Sequence, residues 1–229
     1  MFKSINTTLK SSMSRRKQLS LGISLLIVLS ILLFTFSCSQ PSTTSSPDQA
    51  VTDDQLTKEQ PTDLYDVITS DPAKVDNSKL PITPLEGLNV TGHAPEVNIK
   101  KYSLTIDGLV DTPLTLTYEA LIQYPTVTEV VLLICPGVFA DNAEWTGVEV
   151  ATLLTEAGIK SQASQVTFYA LDGYNRSLSL EEAQREGVFL AYTVNGQILP
   201  KEHGYPLRLV VEGQSGSRWV KWVERIEVS

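Results

Sequence analysis

The residue best suited to chemistry is Cys135, which follows the apolar residues 130–134 and precedes the backbone break at Pro136-Gly137. A run this apolar and β-branched, closed by Pro-Gly, predicts a buried central strand. A thiol at the carboxyl end of such a strand emerges at a rim built from loops, where binding and catalytic residues concentrate. The alternative is a small buried hydrophobe, as many free cysteines are. Cys135 is therefore a candidate for thiol or metal chemistry, with packing as the competing interpretation.

The first 38 residues have the pattern of an export signal. Four basic residues between positions 10 and 17 precede an uncharged apolar run over residues 19–36, which is the order of a secretory signal. Ser37-Cys38 then resembles a bacterial lipoprotein cleavage site, which predicts lipidation of Cys38. The alternative is an uncleaved membrane anchor, because the run is close to the roughly 20 residues that span a bilayer. Either one tethers the rest of the chain to the cell membrane on its extracytoplasmic side.

Arg15 and Arg16 also resemble the twin-arginine export signal, which addresses folded cargo. Gln18 and Ser20 depart from the residues that this signal usually carries. The signal would suit a domain that receives a cofactor before export. The chain has two cysteines, so lipidation of Cys38 would leave Cys135 without a disulfide partner. Cys135 would then be a structural residue, a metal ligand or a reactive thiol.

Residues 39–79 differ in composition from the rest of the chain. Ser, Thr and Pro are followed by scattered Asp and Glu, with few apolar residues and no periodicity, so we expect a disordered stalk. Its acids contribute much of the formal net charge of −8. That balance, and the lack of a basic stripe, argue against a nucleic-acid partner. Residues 80–229 are numerous enough for one domain with its own core.

The domain is predicted to be mostly strands with about three short helices between them. Strand patterns lie at residues 102–106, 114–116, 130–134, 166–170, 188–194, 206–211 and 219–228. Asn195-Gly196 predicts a hairpin, and helical spacing closed by Gly158 predicts a helix near residues 150–157. Thr117 and Ser179 are candidate helix caps. We therefore expect a single mixed α+β domain.

Conventional catalytic patterns are missing from the sequence. The two histidines, His93 and His203, are too few for a histidine-rich zinc site. No glycine-rich phosphate loop of the Walker or Rossmann type occurs. Asp141 and Glu144 are interpreted as solvated loop acids rather than a catalytic carboxylate pair.

Residues 135–222 carry a series of short motifs in a fixed order. They are Cys135, Trp145-Thr146-Gly147-Val148, Asp172-Gly173-Tyr174, the Asn195-Gly196 hairpin leading into His203-Gly204-Tyr205-Pro206-Leu207-Arg208, and Val220-Lys221-Trp222. This series resembles the molybdopterin-binding domain of the sulfite oxidase family. The family includes sulfite oxidases, the molybdenum domain of plant-type nitrate reductases and periplasmic protein-methionine-sulfoxide reductases. The resemblance covers residues 101–228.

The resemblance implies a sulfite oxidase-like fold and a molybdenum–molybdopterin cofactor. The family's cysteine at the position of Cys135 binds molybdenum through its thiolate, in keeping with the preference of redox metals for soft sulfur ligands. Tyr174 lies where sulfite oxidases place a tyrosine near the metal's oxo group, so the resemblance implies a catalytic role. An ordinary turn tyrosine is the alternative.

The resemblance also implies which residues bind the cofactor. His203 and Arg208 match cofactor-binding positions of the family, and Asp172 matches a residue that contacts the pterin. Arg218 and Lys221 lie on the last loop and strand, where positive charge would meet the pterin's phosphate. For Lys221 the alternative is a solvated lysine on a strand face.

Some family features are not found in this sequence. Larger members carry an Asn, Arg and His segment upstream of the first strand, where this chain has Gly92-His93-Ala94-Pro95, and residues 136–140 lack the arginine that sulfite oxidases use to attract sulfite. No dimerisation, haem or flavin module is recognised, so we expect a separate redox partner protein. The leading hypothesis is an exported, membrane-tethered oxidoreductase that transfers an oxygen atom to or from a small or protein-bound substrate. The alternative is a binding module that kept the fold and lost the cofactor.

Overall fold

The computed structural model describes residues 61–229, which form two five-stranded sheets around a shared hydrophobic core. The predicted export signal, Cys38 and the first part of the predicted stalk lie outside the described residues. Within residues 61–229, no helix has both the length and the apolar character needed to cross a bilayer. The expectation of a mostly β fold with few helices is confirmed.

The first sheet has the strand order β2-β1-β10-β5-β6. Its strands are β1 (Ser103–Gly108), β2 (Leu114–Thr117), β5 (Gln165–Ala170), β6 (Asn175–Ser179) and β10 (Val223–Val228). β1 and β10 run parallel, with Thr105 opposite Arg225, while the other pairs are antiparallel. β10 therefore lies in the middle of the sheet and joins the hairpin β1–β2 to the hairpin β5–β6.

The second sheet has the order β3-β4-β7-β8, with β9 also paired to β7. Its strands are β3 (Val127–Cys135), β4 (Phe139–Glu149), β7 (Val188–Val194), β8 (Gln197–Ile198) and β9 (Arg208–Val211). A tight turn joins β3 to β4, where the Val138 amide donates to the Cys135 carbonyl at 2.9 Å. At a β-bulge in β4, a Cβ on Gly147 would lie 2.1 Å from the Leu190 carbonyl oxygen. The glycine of the Trp-Thr-Gly-Val motif thus allows β4 to approach β7.

Within residues 61–229, three short α-helices connect the strands: α1 (Tyr118–Leu121), α2 (Val150–Ala157) and α3 (Leu180–Ala183). The caps predicted from sequence are present. Thr117 accepts from the Ala120 amide at 3.2 Å and Ser179 from the Glu182 amide at 3.1 Å, which satisfies amides that have no partner inside the helix. Gly158 ends α2 with a φ of +71°, a backbone conformation that favours glycine.

The strand that carries Cys135 is an edge strand, so the prediction of a central strand was wrong. β3 pairs with β4 alone, yet both of its faces are covered. Val131 and Leu133 belong to the main core, whereas Leu132 and Ile134 belong to a second cluster with Val67 and Leu80. Burial on both faces produces the same unbroken apolar run that a central strand shows.

Residues 61–80 form a segment that we call the strap, and it corrects the predicted boundary at residue 79. It contains three 3₁₀ turns, at Tyr65–Val67, Pro72–Lys74 and Asn77–Lys79. Asn77 donates to the Val130 carbonyl at 3.0 Å, and the Gly137 amide donates to the Ile68 carbonyl at 2.8 Å. The strap therefore covers β3 and belongs to the domain rather than to a disordered stalk.

Candidate active site

A cavity of about 350 Å³ lies at the carboxyl end of β3. Its lining includes five of the site residues expected from the sequence: Cys135, Asp172, Tyr174, Arg208 and Lys221. They come from the end of β3, the β5–β6 turn, the start of β9 and the segment before β10. The fold thus collects on one cavity side chains that are up to 86 positions apart in the sequence.

Cys135 is half-buried beside Leu133 and Phe139, which also line the cavity. Its thiol is free, and it has no disulfide partner within residues 61–229. In that part of the chain no three His, Cys, Asp or Glu side chains group closely enough to hold a metal. A metal at Cys135 would therefore draw its other ligands from a cofactor rather than from described protein side chains.

Arg208 is a buried cation that faces this cavity. Its side chain is 6% exposed, its Nη1 donates to the His203 carbonyl at 2.9 Å, and its guanidinium lies over the rings of Trp145 and Trp219 at 5.2 and 5.5 Å. Among the described residues, its Nε has no hydrogen-bond partner and no carboxylate lies within ion-pair distance. Burial lowers its pKa to about 10. An unpaired buried guanidinium is costly, so an anion in the cavity would stabilise it.

Lys221 places a second cation at the same cavity. Its Nζ donates to the carbonyls of Thr91 and Glu202, the latter at 3.0 Å, and lies 4.5 Å from the centre of the Trp222 ring. Burial, and the charge of Arg208 next, lower the pKa of Lys221 to about 8. Two neighbouring cations, of which Arg208 lowers the pKa of Lys221, fit a phosphate group, whose oxygens accept several hydrogen bonds. The residues present therefore fit a phosphate-bearing pterin.

His203 and Arg218 are two expected cofactor contacts that do not line the cavity. His203 is buried in the 3₁₀ turn Lys201–His203, where its carbonyl accepts from Arg208. Burial, and then the charge of Arg208, lower the pKa of His203 to about 4, so its ring is neutral at neutral pH. Arg218 donates through Nη2 to Glu182 at 2.7 Å, which ties its loop to α3. Their role as cofactor contacts stays a prediction.

Tyr174 and Asp172 occupy the rim of the cavity. The Tyr174 hydroxyl donates to the Ser217 carbonyl at 2.7 Å, and Asp172 accepts from the Tyr174 amide at 3.0 Å. Arg176, which the sequence analysis did not single out, also donates to Ser217 and lies 4.5 Å from the centre of the Tyr174 ring. Its position two residues after the Asp-Gly-Tyr motif was the available signal. Tyr174 and Arg176 together hold the loop that carries Ser217.

The segment that contains Gly92-His93-Ala94-Pro95 also contributes to the lining. Thr91 and Gly92 line the cavity, whereas the neighbouring His93 does not. The prediction that Asp141 is a solvated loop acid was wrong. Asp141 is a buried residue of β4, and it accepts two hydrogen bonds from Asn89. The physical reason is that its polar group is satisfied by a residue 52 positions away, which no local pattern reveals.

Comparison with known proteins assigns this domain to the class of molybdopterin-binding oxidoreductase domains. The family model described as "Oxidoreductase molybdopterin binding domain" matches residues 91–229, and the chain belongs to that family. This confirms the resemblance to sulfite oxidase-like domains drawn from the motifs.

Two nitrate reductases are similar to this chain. The chain is 34% identical over 180 residues to nitrate reductase [NADPH] of Phytophthora infestans, covering 65% of this chain and 20% of the relative. It is 32% identical over 164 residues to nitrate reductase [NADPH] of Beauveria bassiana, covering 60% and 18%. The chain thus spans about a fifth of the length of these relatives.

A solved structure shares the fold. The sulfane dehydrogenase SoxCD of Paracoccus pantotrophus superposes with a TM-score of 0.61 at 32% sequence identity. The match covers 69% of this chain and 45% of that one.

Proposed function

We propose that this chain is an exported, membrane-tethered molybdopterin oxidoreductase that transfers an oxygen atom to or from a small or protein-bound substrate. The observation that carries the proposal is that Cys135, Arg208 and Lys221 line one cavity. A soft sulfur ligand for a redox metal and two cations for a phosphate therefore meet in one place. The names of the relatives, nitrate reductases and a sulfane dehydrogenase, support an oxidoreductase.

Each residue has a distinct task toward a molybdenum–molybdopterin cofactor. Cys135 would hold the metal through its thiolate, and Arg208 and Lys221 would bind the phosphate. When bound, the cofactor supplies the two-electron redox chemistry of oxygen-atom transfer, and the protein supplies binding, orientation and electrostatics. Asp172, at the rim, is placed to accept hydrogen bonds from the pterin's N–H groups.

The surroundings of Cys135 favour a dry site. Leu133, Phe139 and Trp219 line the cavity with it, and apolar walls strengthen electrostatic interactions by excluding water. At the rim, the Tyr174 oxygen still has lone pairs while its proton is given to Ser217. Tyr174 is thus placed to accept a hydrogen bond from substrate or water.

The turn beside Cys135 bears on the class of substrate. No arginine occurs in residues 136–140, so the turn beside Cys135 has no fixed cation for a sulfite-like anion. Electrons would come from a separate redox partner protein. Membrane attachment is proposed from the basic and apolar pattern before Cys38, through a lipid on that cysteine or an uncleaved anchor.

Metal and pterin analysis of the full chain, made in a cofactor-competent bacterium, tests the proposal. We expect molybdenum and pterin near one per chain, loss of molybdenum in Cys135→Ser, and no change in the matched variant Cys38→Ser. A wild-type chain without molybdenum from that host would overturn the proposal. It would support a binding module that kept the fold and lost the cofactor.

A further inference from the structure

The carboxylate of Asp141 is buried on β4, where it is 1% exposed. Both of its oxygens are occupied by a single residue: Oδ2 accepts from the Asn89 main-chain amide at 3.0 Å, and Oδ1 accepts from the Asn89 side chain at 2.8 Å. Asp141 also lies directly opposite Leu133 in the β3–β4 register, and Leu133 lines the cavity. The buried carboxylate therefore fixes Asn89 next to the strand that carries the thiol.

Thr91 and Gly92 follow Asn89 closely in the chain and form part of the cavity wall, which we call the Thr91–Gly92 wall. Residues 89–97 belong to no described helix or strand, and within residues 61–229 no main-chain to main-chain hydrogen bond holds them. Their polar ties are the two bonds from Asn89 to Asp141, the bond from Lys221 to the Thr91 carbonyl and, beyond Gly92, an exposed ion pair of Glu96 with Lys201 at 3.9 Å. This stretch of wall therefore depends on Asp141 at one end and on Lys221 at the other.

Asp141 also acts on Arg208 without pairing with it. Its negative charge favours the charged guanidinium, yet the two groups form no ion pair within the described residues. Since Asp141 lies beyond ion-pair distance, the donors of Arg208 that have no partner among the described residues, Nε among them, stay free for another anion.

We propose that Asp141 is a positioning residue for the cofactor cavity. By fixing Asn89, it holds the Thr91–Gly92 wall and, through the Thr91 carbonyl, the ammonium of Lys221 in place for the pterin's phosphate. The inference rests on the proposed function for the identity of that anion. The positioning of Lys221 itself is a property of the chain alone.

Two variants separate this role from general loss of structure. Asp141→Asn removes the charge with little change in shape. Both bonds to Asn89 then lose their charge assistance, even where the Asn89 amide turns to pair with the new amide. Combining Asp141→Asn with Asn89→Asp restores a charged partner, because the new amide can accept from the main-chain amide and donate to the new carboxylate. Thr83→Val is the matched control, since it removes the Thr83 hydroxyl bond to the Asn142 amide of β4 without touching Asn89.

The first measurement uses the full chain made in a host without the cofactor pathway. The rate of Lys221 acetylation at neutral pH, followed by mass spectrometry, reports how firmly the ammonium is held. We expect about a tenfold faster rate in Asp141→Asn, the difference between hydrogen bonds to a charged and to a neutral group. The double variant and Thr83→Val should label at the wild-type rate.

Equal Lys221 labelling in folded wild-type and Asp141→Asn chains would overturn the inference, as would a double variant that labels as fast as Asp141→Asn. If Asp141→Asn does not fold, Asn89→Ala replaces it, because it loses the side-chain bond and keeps the main-chain one. Unchanged labelling in Asn89→Ala would then overturn the inference.

The second measurement uses the loaded chain and follows pterin release after dilution by its fluorescence. We expect release about tenfold faster in Asp141→Asn, the usual effect of removing a partner that orients a ligand, and wild-type release in the double variant. Equal release in wild type and Asp141→Asn would overturn the part that concerns the cofactor. A wild-type chain without pterin would instead overturn the proposed function and leave the Lys221 result standing.

Discussion

Tyr174 donates its hydroxyl to the main-chain carbonyl of Ser217 at 2.7 Å. Both residues line the cavity, so this bond closes its rim by joining the β5–β6 turn to the loop before β10. The hydroxyl expected from the family to face the transferred oxygen has its proton engaged with the protein. Its contribution is therefore first of all structural.

Replacing Tyr174 by Phe tests this relationship. We expect the free energy of unfolding to fall by about 0.5–1 kcal/mol, the contribution of one ordinary hydrogen bond, with pterin content unchanged because Arg176 still holds Ser217. Denaturant unfolding and pterin analysis measure the two quantities. Unchanged stability together with slower turnover would assign the hydroxyl to the reaction instead.

Arg208→Ala should lower pterin occupancy more than Lys221→Ala. Arginine offers phosphate a planar fork of donors, whereas lysine offers one movable charge, and Arg208 has no carboxylate partner among the described residues. Arg225→Ala is the matched control, because that guanidinium is paired with Asp107 and Glu227 and is not among the residues that line the cavity. Wild-type occupancy in Arg208→Ala would mean that this arginine only braces its loop.

His203 should make the empty domain sensitive to acid. Its pKa is lowered from 6.5 to about 4 in the folded chain, so below pH 6.5 the unfolded state binds a proton that the folded state does not. Stability is therefore lost as the pH falls from about 6.5 to 4, by up to about 3 kcal/mol. We expect His203→Gln to flatten this part of the curve of unfolding free energy against pH. An unchanged curve would contradict the burial of a neutral ring.

The strap should be required for stability. A chain beginning at residue 61 keeps it, whereas a chain beginning at residue 81 exposes Leu132 and Ile134 and leaves the edge of β3 uncovered. Exposed apolar edge strands favour association between chains. We expect the shorter chain to melt at a lower temperature and to aggregate, as measured by calorimetry and light scattering. Equal melting temperatures would show that the strap adds nothing.

Membrane attachment and export are tested at Cys38, Arg15 and Arg16. We expect Cys38→Ser to release the mature chain from the membrane fraction, since stable anchoring needs the several acyl chains of a lipoprotein. Lysine at both arginine positions should leave cofactor-loaded precursor inside the cell. Unchanged export of the double-lysine chain would show that the unfolded-chain pathway suffices, and it would weaken the case for a cofactor inserted beforehand.

Local sequence patterns predicted much of the fold, because many of its strands and helix caps depend on residues that are close together in the sequence. The strand predicted over residues 166–170 is present as β5, and Thr117 and Ser179 cap the expected helices. β4 escaped prediction because its buried positions include Asp141 and Asn142. These two side chains hydrogen-bond to residues 77–89, so a polar residue at a buried position there reflects a distant partner.

The sequence predicted those residues of the candidate site that belong to the ordered motifs. Cys135, Arg208 and Lys221 were expected at the cavity because they lie inside those motifs. Thr91 was not, since the nearby Asn89 hydrogen-bonds to a carboxylate 52 residues away. The edge position of β3 was also missed, because burial by the strap produces the same apolar run as burial by neighbouring strands.

The parallel pairing of β1 with β10 sets the order in which the newly made chain can mature. Without β10 the hairpins β1–β2 and β5–β6 have no strand between them, so the first sheet cannot close until residues 223–228 have left the ribosome. Contacts this distant in sequence are slow to form, because the entropy of closing a long loop is lost before the contact contributes favourable free energy. Lys221 therefore joins Cys135 at the cavity only after translation of that segment, and a ligand that needs both must enter after β10 has been made.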